Sequence, residues 1–145
     1  MMASSLLSPK LPPEKARQLS PLQLAYVGDS VHALLVRTYL TGVDLRVKDM
    51  HLCANQAVNA VSQAKALQNI LPLLSEEELA IVKRGRNAHP HHSAPKSAST
   101  GEYAGATGLE ALLGYLYLIG AMDRIDALAQ YLYPEEISCH RNTYG

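Results

Sequence analysis

At 145 residues, the chain is long enough to bury a core as a single domain without disulfides or a structural metal. Leu and Ala together supply 42 residues against 13 for Val plus Ile, a balance that favours helices over sheets and points to an all-α fold. Formal net charge is zero, so no whole-molecule field for nucleic acid exists, though local patches remain open.

Residues 1–19 are rich in Ser, Pro and Lys and read as a flexible N-terminal arm. Ser20 and Pro21 then open a helix: Ser20 suits the N-cap, Pro21 the first helical position, and Gln23 sits three residues after the cap. That helix is expected to run to about Leu40 and stop near Gly42. It is apolar almost all round, which predicts either a central helix or one covered on one side by a partner chain. A second helix is expected from about Lys48 to Leu71, ended by Pro72, with Leu52, Val58, Val61, Ala64 and Leu67 at helical spacing. Ser75 to Glu78 scans as a capping box opening a third helix that ends at Arg84-Gly85. Residues 87–101 read as a loop. Helices from about Tyr103 to Ile119 and from Met122 to Tyr133 complete the fold, with an irregular tail over residues 135–145.

Two cysteines, Cys53 and Cys139, lie far apart without a CxxC, and read as reduced thiols of a cytoplasmic protein. No apolar run approaches the ~20 residues of a membrane span. Charge is unevenly spread. Between Leu79 and Gly101 stand Lys83, Arg84, Arg86, Lys96 and three His with no acid; between Glu102 and Glu136 stand six acids and one Arg. A basic segment beside an acidic one suits a metal-using, phosphate-binding protein, and equally suits two solvated faces.

Asp29 is the anomaly. It follows Gly28 in the middle of the most apolar helix, where both residue types are poor helix formers and a carboxylate out of water needs compensation. Two readings stand: His32, one turn on, is a local partner, or Asp29 is a metal ligand or catalytic acid. Glu110, in another apolar helix, also has two readings. Thr107 to Glu110 scans as a capping box, and the alternative is a ligand facing Asp29. Two such carboxylates without a Cys or His cluster suit Mg²⁺ or Mn²⁺, ions that serve phosphodiester hydrolysis. Lys83, Arg84, Arg86 and Asn87 either contact phosphates, with Gly85 allowing close approach, or complement the helix dipole. His89, His91 and His92 read as a solvated loop.

Leu24-Ala-Tyr-Val-Gly-Asp29-Ser-Val resembles the signature helix of ribonuclease III domains, and Gly108-Leu-Glu110-Ala-Leu-Leu-Gly-Tyr-Leu-Tyr-Leu resembles the second catalytic helix of that family. Val82-Lys-Arg-Gly-Arg-Asn-Ala88 and Val58-Asn-Ala-Val-Ser-Gln-Ala64 are similar to its compact Mini-III branch, and the ordered set spans about Leu22 to Tyr131. The resemblance implies a ribonuclease III catalytic domain over residues 20–134, dimeric through the signature helix. It implies cleavage of double-stranded RNA to 5′-phosphate and 3′-hydroxyl ends, with catalytic Mg²⁺ (Mn²⁺ substituting) held by Asp29 and Glu110. It implies maturation of large-subunit (23S) ribosomal RNA precursor, with a ribosomal protein as a candidate helper. Larger members carry two further acids where Ala25 and Thr107 stand here, so a thinner metal shell is expected. A separate double-stranded-RNA-binding domain is not expected, since the sequence given ends at Gly145. RNA contacts then fall to Lys83, Arg84, Arg86, Asn87 and Lys96. The competing reading is a non-catalytic RNA-binding module of ribosome assembly that keeps the same fold.

Overall fold

A computed structural model describes residues 5–88 and 99–132. Lys96, the three loop histidines and the tail over residues 135–145 lie outside them. Among the described residues the chain is helical throughout, with no strand: α1 (Pro13–Ala16), α2 (Pro21–Thr41), α3 (Val47–Ala57), α4 (Ala60–Ile70), α5 (Glu76–Asn87), α6 (Thr100–Leu118) and α7 (Met122–Leu132). No described helix is long and apolar enough to cross a membrane.

Local chemistry sets the helix starts. Ser20 accepts from the Gln23 amide at 3.1 Å while Gln23 Oε1 accepts from the Ser20 amide at 2.9 Å, and Ser75 with Glu78 repeats this reciprocal cap. The helix expected from Lys48 to Leu71 is broken into α3 and α4. Apolar spacing runs through the break, but Asn59 Oδ1 accepts from the Ser62 amide at 2.9 Å and starts a new helix. α6 begins earlier than expected, at Thr100, because Ser99 and Glu102 form the capping box. It ends where Gly120, at φ 77°, lets the Ala121 amide reach back to Leu116 O at 2.9 Å.

The central helix is α6, not α2. From Gly105 to Leu116 every residue of α6 except Glu110 is buried, and α2, α4, α5 and α7 pack around it. Helix α2 buries one stripe, Leu24, Ala25, Gly28, His32, Val36 and Leu40, at spacings of three and four. Its outer face leaves Leu22, Tyr26 and Leu34 exposed, Tyr26 by 83%. That bare face is why the sequence of α2 is apolar all round. Residues 5–19, read as a flexible arm, are mostly exposed, Leu6 and Leu7 among them, but touch the bundle at several points. Ala16 is fully buried, the Leu11 amide donates to Leu118 O at 2.9 Å, and the Tyr117 hydroxyl donates to Leu6 O. Cys53 is buried and is not a free thiol, so the reading of reduced cysteines does not hold at this position.

Candidate active site at the α2–α6 crossing

The site starts from two glycines. A Cβ added at Gly28 would lie 1.6 Å from Glu110 O, and one added at Gly114 would lie 1.9 Å from Leu24 O. Any side chain at either position would force the helices apart, so α2 and α6 touch backbone to backbone there. This contact accounts for the glycine inside an otherwise strong helix, and it brings the residue after Gly28 beside Glu110.

The carboxyl groups of Asp29 and Glu110 lie close enough at this crossing for each to act on the other's charge. Asp29 is exposed, which corrects the expectation of a buried aspartate: α2 buries only one stripe, and Asp29 falls on its rim. Glu110 is half-buried. Burial, then the charge of Asp29, then their hydrogen bond push its carboxyl up to about 8. Among the described residues, neither carboxylate is paired with a cation.

His32, the proposed local partner of Asp29, is fully buried, and its Nε2 donates to Ala57 O at 3.2 Å. Burial lowers its pKa; the Ala57 carbonyl and the Asp29 charge act the other way. The capping reading of Glu110 fails, because the cap of α6 is Ser99 and Glu110 lies mid-helix. Thr107 donates its hydroxyl to Tyr103 O at 3.1 Å within α6, and Ala25 is buried. No group of three or more His, Cys, Asp or Glu among the described residues could hold a metal ion. Among the described residues, Asp29 and Glu110 are the two carboxylates at this crossing that could hold a cation. The donor set fits a hard divalent ion: two carboxylates in contact, one holding a proton that a cation would replace.

The last turn of α5 exposes Lys83, Arg86 and Asn87. Arg84 has a different part. Its Nη1 donates to Arg17 O at 3.1 Å and its Nη2 to Leu19 O at 3.0 Å, tying α5 to the segment that leads into α2. Arg17 in turn donates to the Tyr115 hydroxyl at 3.3 Å. Gly85, read as making room for phosphate, makes room for α6: a Cβ there would lie 2.9 Å from both Ala111 Cβ and Gly108 Cα. Sequence reasoning missed these joints. The signal available was Gly114, four residues after Glu110 on an apolar helix.

A profile of the Ribonuclease III domain matches residues 22–120. A Mini-ribonuclease 3 from Symbiobacterium thermophilum is 47% identical over 113 residues, covering 77% of this chain and 86% of that protein. One from a Synechococcus species is 45% identical over 123 residues, covering 85% and 87%. A crystal structure of a Fusobacterium nucleatum protein superposes with a TM-score of 0.71 at 31% identity, covering 79% of this chain and 91% of that one.

Proposed function

From the premise that the chain belongs to the ribonuclease III family, in its Mini-III branch, and is an endoribonuclease, we propose that it cleaves double-stranded RNA with a divalent cation held by Asp29 and Glu110. The observation that carries this reading is the carboxyl pair at the α2–α6 crossing, with no cation paired to it among the described residues.

The residues present divide the work. The backbone contact at Gly28 and Gly114 fixes the spacing of the two carboxyls before RNA arrives, so little reorganisation is needed. Asp29, at the rim, faces the substrate side; Glu110, further in, keeps a proton until a cation replaces it. The ion, when bound, supplies an activated water and neutralises charge on the phosphate and the leaving oxygen, giving 5′-phosphate and 3′-hydroxyl ends. Asp29 and Glu110 would hold such an ion, leaving room for water and phosphate oxygens to complete its shell. Lys83, Arg86 and Asn87 hold the RNA backbone, with Lys96 a further contact.

The exposed Leu22, Tyr26 and Leu34 support a homodimer formed through α2, which places two sites on one duplex, one for each strand. The substrate is the precursor of large-subunit (23S) ribosomal RNA, matured in the cytoplasm. The test is incubation of long double-stranded RNA with and without Mg²⁺, using the parent chain and Asp29→Asn. Cleavage by the parent alone, only with Mg²⁺, and a loss of about a thousandfold or more in the variant are expected. Parent-like cleavage by Asp29→Asn rejects the mechanism.

A further inference from the structure

Two arginines, two residues apart near the end of α5, have opposite fates. Both nitrogens of the Arg84 guanidinium fork donate to backbone carbonyls at 3.1 and 3.0 Å. The guanidinium of Arg86 has no hydrogen-bond or ion-pair partner among the described residues. Yet the Arg86 stem is held. A Cβ added at Gly108 of α6 would lie 2.9 Å from Arg86 Cγ, 3.0 Å from Val82 O and 3.2 Å from Val82 Cγ1. Arg86 Cγ therefore lies against bare α6 backbone, two residues from Glu110. A long cation fixed along its stem and unpaired at its head loses little rotamer freedom when an anion arrives.

We infer that Gly108 is a positioning residue for Arg86. The missing side chain at 108 seats the arginine stem on the helix that carries Glu110, so that its head meets a phosphate oxygen of the RNA in a fixed relation to the carboxyl pair. This rests on the reading that RNA is the substrate and that Arg86 contacts its backbone. Any side chain at position 108 lifts the stem and loosens the contact, with no residue of the carboxyl pair touched.

The experiment is a double-mutant cycle on binding of a labelled RNA duplex in metal-free, chelator-containing buffer, across a range of salt concentrations. Parent, Gly108→Ala, Arg86→Ala and the double variant are compared after circular dichroism establishes equal helix content. Arg86→Ala is expected to weaken binding roughly five- to tenfold at low salt and to lower the slope of log affinity against log salt by about one. Gly108→Ala is expected to do nearly the same, and the double variant to be no worse than Arg86→Ala. A merely structural role for Gly108 would lower thermal stability and leave the salt slope where it was. Parental affinity and slope in Gly108→Ala, with Arg86→Ala impaired, overturns the inference and leaves the RNA reading standing. No effect of Arg86→Ala overturns both the phosphate contact and the inference built on it. If Gly108→Ala does not fold, ¹⁵N relaxation of arginine Nε in the parent decides. An Arg86 nearly as ordered as Arg124 supports the seat on Gly108, and an Arg86 as mobile as exposed Arg37 overturns it.

Discussion

Glu78 and Glu110 are the same residue type in helices of the same bundle, with opposite surroundings. Glu78 closes the capping box of α5 and meets Arg124 of α7 in a two-pronged ion pair, Nε to Oε2 and Nη2 to Oε1, each at 2.8 Å. Arg124 Nη2 also donates to Leu73 O at 2.8 Å. The hydrogen bond from Arg124 is the main reason the Glu78 carboxyl is held below the usual glutamate range. Glu110 has another carboxylate as its neighbour, and burial with that neighbour raises it. At the first joint the fold supplies a cation and gains a staple between helices. At the second it brings like groups together across a backbone contact that tolerates no side chain. A bundle shaped for stability alone would do better with an apolar residue at position 110. The contrast supports the proposal that the α2–α6 crossing is the functional joint, with the α5–α7 contact a structural one.

The largest effect that would sharpen this comparison is at the crossing itself. Gly28→Ala is expected to cost roughly 4 kcal/mol or more, or to prevent folding, since its methyl group collides with backbone rather than with a movable side chain. Denaturant unfolding of the variant measures it; a loss below about 1 kcal/mol would mean that the helices separate freely. Next is the pH dependence of the metal-free chain. Folded Glu110 keeps its proton up to about pH 8, whereas the ordinary glutamate value is 4.5. The folded state binds more protons across that window, so this contribution is present below about 4.5 and is lost as pH rises through 8, on the order of 2–3 kcal/mol after solvent screening. Thermal melts of Glu110→Gln should show that fall flattened; an unchanged profile assigns the slope elsewhere. Arg124→Ala, at the structural joint, is expected to cost about 1–2 kcal/mol while leaving RNA cleavage per folded molecule unchanged. A selective loss of cleavage would erase the distinction between the joints. The smallest effect is at Arg84. Because its guanidinium holds Arg17 and Leu19, Arg84→Ala should lower the melting temperature by a few degrees without changing the salt slope of RNA binding. A slope lowered by about one would return Arg84 to the phosphate contacts.

The fold class was legible because Leu and Ala dominate and the caps at Ser20 and Ser75 are local signals. The break at Asn59 was not, since the apolar spacing continues through it and only a side-chain cap marks the new start. Helix α2 looked central because apolar residues also stand on its outward side, where Leu22, Tyr26 and Leu34 are exposed. Asp29 stood out for the cost of a charge in an apolar helix, yet that cost is small at the rim where it lies. Glu110 was ambiguous, because Thr107 offered a cap that the earlier Ser99 makes unnecessary. Arg84 and Arg86 were indistinguishable in sequence: what separates them is the distance to Arg17 and Leu19 carbonyls some 65 residues earlier in the chain.

Asp29 and Glu110 are proposed to hold a divalent cation in place of the Glu110 proton. Calorimetry of Mg²⁺ binding at pH 7, repeated in buffers of different ionisation enthalpy, counts the protons released. Release of about one proton by the parent, and none by Glu110→Gln with weaker Mg²⁺ binding, is the predicted result. Mg²⁺ binding of equal strength in both chains, with no proton released from either, would contradict it.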